Sequence, residues 1–140
     1  MLKFQIPMLV TLLAIPHLNA QGGPMASPGA VQRRNLLEAA LAPPKAVGSV
    51  SVQDVTMATG QKAPLHLHPC PVIGVVIEGR IAYQIEGEPT TFLKAGDAFY
   101  EPAGVHVARF DNVGDTPARF VAAYLLEEPG QPTVKIVQNP

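Results

Sequence analysis

From Ser49 onward, apolar and polar positions alternate in short bursts, with the period of two that turns one face of a β-strand toward a core. Val50 and Val52 alternate with Ser49, Ser51 and Gln53. Val55 and Met57 continue the alternation in the opposite phase, which predicts a strand with a bulge near Gln53 and Asp54. Leu65 and Leu67 alternate with His66 and His68, and Ile81, Tyr83 and Ile85 with Ala82, Gln84 and Glu86. Residues 72–77 and 120–126 are apolar runs without alternation. Gly60, Gly79, Gly87, Gly96, Gly104 and Gly114 fall between these segments as turn residues. Short strands, glycine turns and no stretch of helical period predict an all-β sandwich or barrel.

Upstream the pattern is different. Residues 21–35 are rich in Gly, Pro and Ala without periodicity and read as a flexible lead-in. Residues 36–41 could form a short helix or strand, closed either way by Pro43 and Pro44. At the start, Lys3 precedes an apolar run over 4–15, and small Ala20 stands before Gln21. That layout predicts an export leader cleaved after Ala20. The run is too short to cross about 30 Å of hydrocarbon and contains Pro7, so no stable membrane anchor is expected. The predicted organisation is a leader over 1–20, a lead-in over 21–48, a barrel over 49–126, and a tail over 127–140. Residues 134–137 of that tail could add an edge strand, and the mature protein is expected to be periplasmic or extracellular.

Composition narrows the function. A chain of 140 residues suits one domain, and 47% hydrophobic against 15% charged residues implies a packed core. Ten basic against eleven acidic side chains leave a net charge of -1, so no basic surplus exists for nucleic acid, and the absence of Trp removes a stacking platform. Cys70 is the single cysteine, which forbids an intrachain disulfide and reads as a buried thiol.

Outside the leader the histidines are His66, His68 and His106. Two residues apart on a strand, His66 and His68 present both imidazoles to one point, half of a metal site. By itself such a pair reads as two solvent-facing histidines on an edge strand.

The wider spacing changes that reading. Gly60, five residues, His66-Leu67-His68, three residues, Val72, six residues and Gly79 resemble the first motif of the cupin superfamily. Gly96, five residues, Pro102-Ala103-Gly104, then His106 and Asn112 resemble the second. The resemblance spans about Ser49 to Leu126 and implies a double-stranded β-helix, or jelly-roll barrel. It also implies a Glu ligand where this chain has Val72, and a His ligand where it has Val107, one residue after His106.

Strand alternation then decides which residue faces inward. With His106 go Ala108 and Phe110; with Val107 go Val105 and Arg109, and burying Arg109 costs more. The expected site is therefore His66, His68 and His106, a three-histidine centre for Fe, Mn, Cu, Ni or Zn without a carboxylate. Glu101 is set aside as a ligand because it lies at a strand end, and Cys70 because the stiff turn of Pro69 and Pro71 aims it elsewhere. Tyr83, in an Ile-Tyr-Ile stripe, reads as core or dimer contact. The pocket should be small and apolar and take a small-molecule ligand or substrate. With no nucleophile or base outside the metal shell, the resemblance implies a metal-dependent, dioxygenase-like enzyme. The alternative is a non-catalytic module binding a small molecule or a metal. Small cupins imply a homodimer through exposed barrel edges or the tail strand.

Overall fold

The computed structural model describes residues 29–138, so the expected leader and cleavage point lie outside the described residues. Among the described residues no helix is long and apolar enough to cross a membrane. In the unit that begins at Arg34, nine strands follow: β1 (Ser49–Met57), β2 (His66–Leu67), β3 (Val72–Glu78), β4 (Arg80–Ile85), β5 (Thr91–Lys94), β6 (Ala98–Glu101), β7 (His106–Asn112), β8 (Ala118–Leu126) and β9 (Lys135–Ile136). They form a four-stranded sheet in the order β1-β8-β3-β6 and a five-stranded sheet in the order β5-β4-β7-β2-β9. Every pairing is antiparallel. The all-β reading and the jelly-roll arrangement expected from the resemblance are what the structure has.

Two packed sheets need one apolar face each. Met57 of β1, Val72 and Val76 of β3, Phe99 of β6 and Phe120 of β8 supply it from the four-stranded sheet; Ile81 and Phe110 answer from the other. Phe99, Phe110 and Phe120 meet with ring centroids 4.9–5.7 Å apart in tilted and edge-on arrangements, the geometry favoured by aromatic quadrupoles. Tyr83 packs on Phe99 and Phe110, and its hydroxyl donates to the Tyr100 carbonyl, so it belongs to the core. At one end the buried Asn112 amide donates to the carbonyls of Ala58 and Thr116 while its oxygen accepts from Gly114 N–H, joining the loops there.

Two local expectations differ from the structure. Residues 36–41 form neither helix nor strand. Strand β1 carries no bulge: it pairs with β8 in unbroken register from Ser49↔Leu126 to Met57↔Ala118. Val50 and Val52 point outward, 55% and 65% exposed, while Met57 faces the core. The phase change in the sequence reflects two apolar faces on one straight strand. The register shifts elsewhere, between Val76 and Glu78 of β3 and on β7, where Gln84 pairs with Arg109 but Ile85 pairs with Val107, leaving Ala108 as the extra residue. The tail strand β9 pairs with β2 of its own chain.

Gly74 of β3 shows how tightly the inner layer closes. A Cβ there would lie 2.1 Å from the Phe99 ring, so the ring occupies the room the absent side chain leaves. At Gly79, between β3 and β4, φ is +82°, and a Cβ would fall 2.7 Å from Ala118 Cα, so the turn needs glycine on both counts. Gly74→Ala should push Phe99 off its rotamer and destabilise the barrel by about 1–3 kcal/mol, read as a lowered melting temperature. An unchanged melting temperature would contradict this packing.

Candidate metal centre

Strand β2 pairs with β7 so that His66 stands opposite Val107 and Leu67 opposite His106. Opposed residues of an antiparallel pair share a face. His66 and Val107 therefore turn inward, and both are buried, as is His68 just beyond the strand. His106 turns outward, where its Nδ1 pairs with Glu86 Oε2 at 2.8 Å on the protein surface. The expected ligand His106 is thus not in the site. The bulge at Ala108 is the reason, because it lets Val107 and Phe110 face the interior together, which uninterrupted alternation forbids.

The third donor is Glu101, the last residue of β6. It is 3% exposed, and its carboxylate lies 3.0 Å from His68 Nε2. One ligand atom each from His66, His68 and Glu101 can be chosen so that all lie within 4.8 Å of one another. Val72, the position where the cupin resemblance implies a Glu, pairs directly with Glu101 on one side and with Tyr124 on the other. The carboxylate has therefore moved one strand along the sheet, a lateral step of about 4.8 Å, and still reaches the same point. The signal in the sequence was a glutamate at an inward position before Pro102, where the strand-end argument set it aside.

The two imidazoles are held for ligation. His66 Nδ1 lies 2.7 Å from the Pro64 carbonyl, and His68 Nδ1 faces the Thr133 carbonyl. A carbonyl accepts only, so each Nδ1 carries the proton and each Nε2 is left as the atom to bind a metal, that of His68 in place of its contact with Glu101. Burial works against a charged His68, but the hydrogen bond and charge of Glu101 outweigh it and raise its pKa, with the Thr133 carbonyl adding to the rise. Cys70 is buried and stands outside the triad, and burial pushes its thiol pKa up, away from the thiolate a metal needs. Two imidazoles and a carboxylate suit a first-row divalent ion and leave coordination positions open, so the donor set fits a metal.

The triad opens on a pocket of about 310 Å³. Its walls are mostly apolar: Val55, Met57, Val72, Phe99, Phe110 and Phe120. Gln53, Gln61 and Lys62 are the polar exceptions away from the triad. Tyr124 lines it too, with its ring 5.6 Å from His68, and burial, followed by the charge of Glu101, raises the pKa of its hydroxyl. The hydroxyl therefore stays protonated, able to donate a hydrogen bond.

A model of the Cupin domain matches residues 53–124, about half of the chain, and the protein belongs to that family. No curated protein sequence matches it. Among solved structures, it is similar to an oxalate oxidase in complex with the substrate analogue glycolate, at 30% identity and a TM-score of 0.55. That match covers 63% of this chain and 46% of the oxidase, so the chain spans less than half of that relative's length. A cupin-like protein from Thermotoga maritima matches at 25% identity and a TM-score of 0.54, covering 63% of this chain and 64% of that one. The DMSP lyase DddQ from Ruegeria pomeroyi shares the fold at 23% identity and a TM-score of 0.55, covering 63% of this chain and 43% of that one.

Metal content of the purified protein, without a polyhistidine tag, checks the assignment. His66→Ala and Glu101→Gln should each lose most of the metal, and His106→Ala should keep it. Glu101→Val should lose it too, and Val72→Glu added to Glu101→Val should recover it by returning the carboxylate to the neighbouring strand. Uptake should weaken as the pH falls through the raised pKa of His68, because the metal must displace that proton. Metal retained by Glu101→Gln and lost by His106→Ala would restore the three-histidine site.

Proposed function

We propose that this protein is a metal-dependent cupin enzyme acting on a small organic substrate, with His66, His68 and Glu101 as the ligands. The observation that supports this reading most directly is the convergence of those three donors beside an apolar pocket. A divalent ion bound there would supply Lewis acidity and, if redox-active, electron transfer to oxygen. The chain's own residues do the rest. Glu101 contributes one negative charge against the ion's two, leaving a net positive site that favours an anionic or electron-rich substrate group. The aromatic and aliphatic walls exclude water and hold the substrate's apolar part. Tyr124 can donate a hydrogen bond to a substrate oxygen beside the metal.

The two-histidine, one-carboxylate set is the donor pattern of non-haem iron oxygenases, which favours oxidation over the other chemistries of this fold. The oxalate oxidase match, at 30% identity, points the same way. Oxygen consumption should appear when the iron- or manganese-loaded protein meets one of a panel of short carboxylates, phenols, thiols and diketones, and should vanish in His66→Ala. Ligand-dependent thermal stabilisation with no turnover would instead favour a non-catalytic binding module.

We also propose that the protein is exported and works as a homodimer, joined through the outer face of the four-stranded sheet. Val52, Ala123, Ile73 and Tyr100 are paired in one row across its four strands, and Val50 with Leu125 extends the patch. Ion pairs stand at its two ends, Arg119 with Asp54 and Glu78 at one, Lys45 with Glu127 at the other. An apolar centre with charged rims suits an isologous contact, and end-over-end stacking sets the acid-rich end of each copy toward Lys45 of its mate. Protein recovered after export should begin at Gln21 and sediment as a dimer at micromolar concentration, with Val52→Lys monomeric. A wild-type monomer would sink the dimer, and a retained N-terminus the export.

A further inference from the structure

We infer that the C-terminal strap, residues 133–137, is a positioning element of the metal centre that holds His68 in its ligating orientation. The inference rests on the reading of His66, His68 and Glu101 as ligands, and it assigns a role to a segment outside both cupin motifs.

The two imidazoles are anchored in different ways. His66 bonds to Pro64, two residues away in its own loop, so its anchor forms with the loop itself. His68 bonds to Thr133, 65 residues further on, and that anchor exists only while the tail is docked. Docking is specific but slight. Lys135 pairs with Leu67, Ile136 pairs with His66, and Val137 N–H donates to the Leu65 carbonyl at 2.9 Å. Both residues of β9 are exposed, so backbone hydrogen bonds more than apolar burial hold the strap in place. These bonds run along β2 itself, so a docked strap fixes the strand carrying His66 and leading into His68. Val134 meanwhile forms part of the pocket wall.

Without the Thr133 carbonyl, His68 loses the acceptor that keeps the proton on Nδ1. Its ring then keeps only the Glu101 contact at Nε2 and can turn or take the other tautomer, with Nδ1 and Nε2 exchanging roles. Loss of such an outer hydrogen bond typically costs about 10–100-fold in metal affinity. The loss of the ring anchor should fall on His68 alone, because the Nδ1 partner of His66 is local.

The test compares the full chain with two variants, using Zn²⁺ alone in competition with a chromophoric chelator. Val137→Pro removes the donor to Leu65 and should weaken binding by about tenfold. Truncation after Pro132 should weaken it by up to about 100-fold, with the β-sheet circular dichroism retained. A synthetic peptide of residues 129–138 should restore part of the loss. Nitrogen-15 and proton spectra of histidine-labelled protein give a second readout, in both metal-free and loaded forms. The His66 Nδ1–H signal should persist in every variant, and the His68 Nδ1–H signal should disappear from the truncated chain. Equal affinities together with a persisting His68 signal would overturn the inference. A full chain that binds no Zn²⁺ would overturn the metal reading instead, and the metal-free spectra would still decide whether the strap fixes His68.

Discussion

The contact on which the site depends is the buried pair between His68 and Glu101, 3.0 Å apart and almost closed to solvent. It joins the sheets: Glu101 ends β6 of the four-stranded sheet, and His68 follows β2 of the five-stranded one. A buried carboxylate without a partner is strongly unfavourable, and attraction offsets its desolvation only where the geometry is close and the other polar atoms are satisfied. Here Thr133 takes the far nitrogen of His68, and no buried side-chain nitrogen or oxygen among the described residues lacks a partner. Most other contacts between the sheets' inner faces are apolar, and the aromatic cluster of Phe99, Phe110 and Phe120 packs beside this polar tie.

What the sequence disclosed and what it concealed divide along one line. Apolar runs and glycine turns are local signals, and β3, β4 and β8 stand close to where those signals put them. His66 and His68 are two residues apart, so their shared face follows from strand geometry alone. Glu101 could not be found that way. Its nearness to the histidines comes from pairing with Val72, which lies 29 positions earlier in the chain, and register across strands is invisible in spacing along one of them. His106 failed for a related reason: the alternation argument assumed an unbroken β7, and a single bulged alanine inverted its conclusion. The mirror error occurred on β1, where a phase change in hydrophobicity suggested a bulge and the strand is straight. Its cause is a second apolar face, a feature of the sheet's surroundings rather than of its backbone.

The bulge at Ala108 also serves the pocket. By turning Val107 and Phe110 inward together, it buries Val107 beside His66 of β2 and still supplies the Phe110 ring to the pocket. The cost is that His106 is sent to the surface, where its exposed pairing with Glu86 contributes little. A chain with a histidine in that position would need another donor to complete a metal triad, and Glu101 supplies one.

Because the donors are divided between the two sheets, whatever occupies the centre is coupled to the opening of the barrel itself. Separating the sheets takes Glu101 away from the histidines, so an occupant that binds only the closed centre would resist that motion. An occupied centre would in this sense be a latch as well as a site, with the breathing of the barrel and the binding of its occupant linked to each other.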